Sequence, residues 1–325
     1  MSILFAATEI GSFVTAGGSM PTVSTSSANF DANFSRCALG LNSTGPTLFR
    51  PVNLLGDIAE AWFHFRWSDT TIGTTNHTLV EIQNSSGVGV LRIRSTSTSQ
   101  WQFQYWNGST WVQISTQNEG ATAVTIDIRS KINDSTGVFE LWVGGVSVGS
   151  LTGDTNLFSG SANDRILFGD MGSGVIWMSE VIMADEDTRG MRVATLVPNA
   201  NGTYTTWTGT YADVDETDNV DNEFISSTTG NELESFGLTD LSSVAAGYDP
   251  IAVTIESRGR IGATGPTNFQ TLLRTNSTDY LSSNKNPTST FDAVTQTVYD
   301  VNPNTSAEWT ISEINALEIG VKSIT

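Results

Sequence analysis

Apolar and polar side chains alternate with a period of two in run after run of this chain, and few folds accept that pattern. In Glu60-Ala61-Trp62-Phe63-His64-Phe65-Arg66-Trp67, one face carries Ala61, Phe63, Phe65 and Trp67, and the other Glu60, Trp62, His64 and Arg66. That is the pleat of a β-strand. Residues 79–83, 88–93 and 101–106 repeat it, and 124–129, 138–143, 166–169 and 175–183 continue the series. Between the runs lie Asn84-Ser85-Ser86-Gly87, Asn107-Gly108-Ser109 and Gly144-Gly145. Asn-Gly between aromatic strands predicts a type I′ hairpin, because both residues tolerate positive φ. Only 185–193 and 312–319 read as helical. Many short strands without intervening amphipathic helices predict an all-β sandwich.

At 325 residues the chain is long for one domain and comfortable for two. The composition shifts near Thr195, and Pro198-Asn199-Ala200-Asn201-Gly202 reads as a turn or linker. A second series of strands follows at 251–258, 269–274, 293–299 and 320–324. The expected domains are therefore 1–195, a β-sandwich, and 196–325, a smaller second β-sandwich. With hydrophobic residues at 38%, the chain is too apolar to be disordered. Charged residues make up only 15%, below the roughly 25% of ordinary soluble domains. Such a surface of uncharged strand and turn suits extracellular and particle-forming β proteins better than enzymes.

The net charge of −19 divides after Thr195 into 10 Lys+Arg against 17 Asp+Glu, and then 5 against 17, giving −7 and −12. Binding to nucleic acid depends on Lys and Arg releasing counterions from phosphates, so no nucleic-acid partner is expected. The single Cys37 excludes an intramolecular disulfide framework and reads as a small buried side chain. The N-terminus lacks the basic, then apolar, pattern of a signal peptide, and no run approaches the ~20 apolar residues of a membrane span. Synthesis in a cytoplasm without membrane insertion is the expectation.

Three segments of the first half resemble the concanavalin A-like (laminin G-like) jelly roll. They are the aromatic strand 61–67, the strand–Gly turn–strand Phe139-Glu140-Leu141-Trp142-Val143-Gly144-Gly145-Val146, and the closing strand 176–183 with Ser179-Glu180 in place of an acidic pair. The second half is similar to structural proteins of tailed bacteriophages. The similarity runs through Met191-Arg192-Val193, Thr206-Trp207-Thr208, Val214-Asp215-Glu216, Phe224-Ile225-Ser226-Ser227, Glu234-Ser235-Phe236, Trp309-Thr310 and residues 314–321, in that order. This resemblance implies a non-enzymatic virion component: tail fibre or tip, head spike, or capsid decoration. It would be assembled in the host cytoplasm as a homo-oligomer and contact other virion proteins. A carbohydrate-binding host-adsorption module and a glycan depolymerase are the alternatives.

No cofactor is expected, and the candidate chemistry is sparse. The two histidines, His64 and His77, have no G-x-S-x-G, H-E-x-x-H or C-x-x-C beside them. Glycosidases of jelly-roll type need two carboxylates about 5–9 Å apart, usually on one strand. Asp127 and Glu140 are instead single acids on separate predicted strands and read as solvated faces. The acidic tract 213–223 offers Asp213, Asp215, Asp218 and Asp221 as a weak calcium loop. It lacks the EF-hand offsets, and a solvated interdomain loop explains it equally. In Trp101-Gln102-Phe103-Gln104-Tyr105-Trp106, alternation sends Trp101, Phe103 and Tyr105 to the core. Gln102, Gln104 and Trp106 go to the other face, fit to stack on a host-surface sugar or to contact another subunit.

Overall fold

The computed structural model describes residues 2–17, 21–42, 48–72, 76–97, 100–118, 123–169, 174–217 and 221–325. Two compact units divide the chain, one of Met1–Glu9 with Phe13–Val193, the other of Ile10–Ser12 with Ala194–Thr325. Strand content is 49% against 4% helix, so the chain is all-β.

The first unit opens with β1 (Ile3–Ala7), β2 (Phe13–Gly17), β3 (Thr22–Ser24), β4 (Ala38–Asn42) and β5 (Leu48–Pro51). The long β6 (Glu60–Ile72) precedes a meander of β7 (Thr78–Gln83), β8 (Gly89–Ser97), β9 (Gln100–Trp106) and β10 (Trp111–Asn118). Then come β11 (Val124–Lys131), β12 (Gly137–Val143), β13 (Val146–Gly153), β14 (Arg165–Phe168) and β15 (Gly174–Ala184). They form two antiparallel sheets. The first has the order β13-β12-β11-β6-β15-β4-β3, with β1 also on β15; the second has β10-β9-β8-β7-β14-β5-β2. The chain crosses between them after β1, β2, β4, β5, β6, β10, β13 and β14. That is a jelly-roll sandwich.

The alternation read from the sequence sets what lies between the sheets. Ala61, Phe63 and Phe65 are fully buried. Phe65 meets Phe168 edge-on at 5.3 Å, Trp67 stacks on Trp101 at 6.4 Å, and Tyr105 approaches Phe139 at 6.2 Å. Each such ring removed from water contributes about 1.5–3 kcal/mol. Cys37 is buried here too, its Sγ 3.8 Å from the Thr8 carbonyl oxygen.

Turn chemistry separates two expectations. Gly144 and Gly145 have φ of 57° and 77° and join the paired Val143 and Val146, which is the two-residue turn that needs positive φ twice. The Asn107-Gly108 turn is not of that kind. Trp106 pairs with Trp111, so the loop has four residues, and of these only Gly108 has positive φ (91°). Asn107 Oδ1 accepts from the N–H groups of Ser109 and Thr110 at 3.0 and 2.8 Å. That local bond outcompetes the two-residue turn.

The helix expected over 185–193 is absent. Gly190 has φ 80°, the Met191 N–H donates to the Thr188 carbonyl oxygen at 3.0 Å, and the Thr188 hydroxyl donates to Asp127 Oδ1 at 3.1 Å, so the segment runs as a bend and a tight turn held to the first sheet.

The second unit has β16 (Pro198–Thr205), β17 (Leu233–Leu238), β18 (Val253–Ile255), β19 (Arg258–Gly259), β20 (Asn268–Thr275), β21 (Thr278–Leu281), β22 (Asp292–Ala293), β23 (Thr297–Tyr299) and β24 (Glu318–Ile324). One sheet runs β16-β17-β24-β20-β21, and β18–β23 and β19–β22 form two-stranded ribbons. The helix expected over 312–319 is one turn, α1 (Ile311–Ile314), capped by Thr310 with Glu313. Its Ile314 joins Ile255, Leu273, Trp309 and Leu317 in the core, and Glu318 already begins β24.

Candidate functional site

Four strands of the second sheet, β7 to β10, place their polar alternates on the outer face. Register sets those side chains in rows across the strands. Trp106 pairs with Trp111; Gln113, Gln104, Arg92 and Glu81 form the next row; Thr116, Gln102, Arg94 and Thr78 the third. Neighbouring strands lie ~4.8 Å apart and alternate residues ~6.8 Å, so the platform measures about 14 Å each way. Gln102, Gln104 and Trp106 thus share the face expected from sequence, while Trp101, Phe103 and Tyr105 point into the core.

The face is ordered by its own hydrogen bonds. Arg92 Nε donates to Gln104 Oε1 at 2.7 Å, Gln104 Nε2 to Gln102 Oε1 at 2.8 Å, and Gln102 Nε2 to Gln113 Oε1 at 2.6 Å. The Arg92 guanidinium sits 4.2 Å from the centre of the Trp111 ring, and Trp111 leans on Trp106 at 5.5 Å. A Cβ on Gly89 would lie 2.8 Å from the Trp111 ring, so only glycine admits the ring there. Burial, with Arg94 beside it, pulls Arg92 down to about 10. Burial also pushes Glu81 above the usual carboxylate range, against a 2.7 Å hydrogen bond from Gln83 and the charge of Arg92. Partly exposed indoles beside amides and guanidinium groups offer an apolar ring face next to fixed donors and acceptors. Sequence reasoning missed Arg92, Arg94 and Gln113. The i, i+2 spacing of Leu91-Arg92-Ile93-Arg94 was the available signal.

The outer face of the first sheet is closed. Trp62 and Trp142 stack at 5.4 Å, and Arg189 lies over both, 4.6 Å from Trp142 and 5.6 Å from Trp62. Next to them in register, His64 Nδ1 and Asp127 Oδ1 are 2.8 Å apart, both residues about 1% exposed. Asp127 is therefore not on a solvated face, and His64 does have a partner. The segment after β15 covers what strand parity alone would leave in water. Glu140 is partly exposed and, with Glu60, meets Arg129. At the bulge of β15, Glu180 is buried and takes both nitrogens of Arg192 at 2.6 and 2.8 Å. His77 stands apart, before β7, its backbone N–H donating to Ser95 Oγ at 3.0 Å.

In the acidic tract, Asp213 Oδ2 accepts from the Thr210 N–H at 2.8 Å, and Asp221 pairs with Arg258 at 2.7 Å. Asp215 lies two residues beyond Asp213, and Asp218 falls outside the described residues. Among the described residues no group of three His, Cys, Asp or Glu is arranged to hold a metal, and no helix is long and apolar enough to cross a membrane.

The sequence matches no protein-family model and no curated protein. Among solved structures, the chain is similar to the endo-β-1,4-glucuronan lyase of the fungus Trichoderma reesei, at 13% identity and a TM-score of 0.44 over 57% of this chain and 96% of that one. It is similar to the carbohydrate recognition domain of Emp47p, at 7% and 0.38 over 56% and 95%. A Bacillus subtilis protein with a galectin-like fold aligns at 9% and 0.39 over 57% and 96%. Nothing in these comparisons points to a virion protein.

Proposed function

We propose that the first unit is a non-enzymatic module that holds a glycan chain on the outer face of β7 to β10 and serves attachment. The observation that carries this reading is the cluster of Trp111, Arg92 and Gln102, partly open to solvent, which the buried Gln104 links by hydrogen bonds and the Arg92–Trp111 stack completes. Side chains already held in place lose little freedom on binding. The absence of chemistry is argued from access. A general base must come within hydrogen-bond reach of its substrate, and the His64–Asp127 pair is buried, with the Thr188 hydroxyl bonded to Asp127. Glu60 and Glu140 share Arg129, and Lys131 adds a second cation beside Glu60, so both acids are held in ion pairs.

The proposed setting is the surface of a bacteriophage particle, alongside copies of the chain and other particle proteins. Its support is the sequence resemblance over 191–325. The test is binding of the full chain to immobilised polysaccharides, with reducing ends and new double bonds measured in parallel. Trp106→Ala or Trp111→Ala should weaken binding about tenfold, the scale of one aromatic contact. Undiminished binding in both variants would remove this face from the reading. Turnover abolished by an acid substitution would replace the module with an enzyme.

A further inference from the structure

The charges on the platform are deployed unlike those elsewhere in the chain. Acidic side chains outnumber basic ones 34 to 15. Among the described residues, seven of the twelve arginines meet a carboxylate within 4 Å, and none of the seven lies on β7 to β10. Arg92 and Arg94, adjacent outward residues of β8, make no ion pair among the described residues; what they do make is a 2.7 Å bond to Gln104 and a 2.9 Å bond to Asn76. Glu81 faces Arg92 across the β7–β8 register but is engaged by Gln83. Two like charges side by side and half-buried, in a protein with acids to spare, are costly unless a counter-charge arrives from outside.

We propose that the glycan held on this face is anionic, and that its carboxylates seat on Arg92 and Arg94 while its sugar rings lie against Trp111 and Trp106. This rests on the glycan-binding reading and narrows it to uronate-type saccharides. Stacking on Trp111 and the Nε bond to Gln104 fix the plane of the Arg92 guanidinium, leaving its two terminal nitrogens as a fork. A planar carboxylate matches that fork bidentately, as two oxygens of a sulfate also would, so the dextran sulfate arm below tells the two anions apart. The amide chain Gln104–Gln102–Gln113 supplies neutral donors and acceptors beside the fork for sugar hydroxyls. Glu81 is the competing anion on the face, and its neutralisation should strengthen binding. Burial is the largest cause both of the lowered Arg92 and of the raised Glu81, and a carboxylate seated on Arg92 would act against the first.

The experiment measures dissociation constants of the full chain for polygalacturonate, hyaluronate and xanthan, each beside its carboxyl-reduced neutral counterpart, with dextran sulfate as a further arm. The expected result is about tenfold or greater preference for at least one acid form, the scale of a charge-assisted hydrogen bond. The paired substitution Arg92→Gln and Arg94→Gln should erase that preference, read as the ratio of acid-form to neutral-form affinity within the same variant. Glu81→Gln should tighten the acid form alone, and Arg94→Gln, which leaves the Trp111 stack untouched, should lose part of the preference should the double variant fail to fold. Equal affinity for acid and neutral forms overturns this inference and leaves the glycan-binding reading standing. Binding of dextran sulfate as tight as any uronate overturns the carboxylate fork. No binding to any member of the panel overturns both.

Discussion

Replacing Asp127 by Ala should be among the most damaging single changes in the first unit. Asp127 Oδ1 accepts from His64 Nδ1 at 2.8 Å and from the Thr188 hydroxyl at 3.1 Å, and all three residues are buried to 1% exposure or less. Removing the carboxylate leaves two buried polar groups without an acceptor, each costing about 1–3 kcal/mol. The sum, about 2–6 kcal/mol, brackets the ~3–5 kcal/mol that breaking a buried pair costs elsewhere, and it is a large share of a domain's usual ~5–15 kcal/mol. Glu140→Ala provides the contrast. It lies on the neighbouring strand with its side chain 23% exposed and 3.4 Å from Arg129, so its loss should cost under ~1 kcal/mol. Replacing both members of the buried pair, Asp127→Val with His64→Leu, should recover much of the loss, because two apolar groups leave nothing unsatisfied. Guanidinium unfolding followed by tryptophan fluorescence reads all four proteins, with Trp142 opposite Asp127 in the strand register. The two units can unfold in separate transitions, so each is fitted on its own. An Asp127→Ala protein within ~1 kcal/mol of wild type, or no weaker than Glu140→Ala, would refute the reasoning.

Further outcomes concern both units. Burial works against the Glu318 carboxylate, but bonds from the Thr203 N–H, Ser235 and the Thr203 hydroxyl, with Arg274 nearby, hold it below its ordinary 4.5. Its contribution is therefore complete above that value and lost as acid carries the pH through the lower folded-state value; thermal melts of Glu318→Gln should be flatter than wild type across that acid limb, and an unchanged slope would discard the assignment. Gly145→Ala should cost about 1 kcal/mol from φ alone, since a Cβ there meets nothing within 4 Å; a neutral effect in chemical denaturation would contradict this. A fragment of residues 1–195 should be soluble with a β-type circular dichroism spectrum, whereas one ending at Ala184 should aggregate, because Glu180 loses Arg192 and Asp127 loses Thr188. Equal solubility of the two fragments would show that the segment after β15 is dispensable.

What the sequence determined by itself is whatever depends on neighbours one or two residues away. Strand parity separated Phe63 and Phe65 from Trp62 and His64, and Phe103 from Gln102 and Gln104, because a pleat reverses side-chain direction at every residue. The paired glycines 144 and 145 specified their turn for the same local reason. Parity says which side of a sheet a residue occupies and nothing of what covers that side. Asp127 and Glu140 looked alike in sequence, yet one is sealed and the other open, because a segment some sixty residues after Asp127 lays Thr188 and Arg189 over the first. The helical period of 185–193 was overridden by the same docking. The platform is likewise a product of pairing at a distance. Gln104 meets Arg92 twelve residues away and Gln102 meets Gln113 eleven away, and register between strands decides such partners. Alternation is written into each strand. Coverage and register are settled only when the strands assemble, since burial free energy belongs to the assembled sheets and to no strand alone.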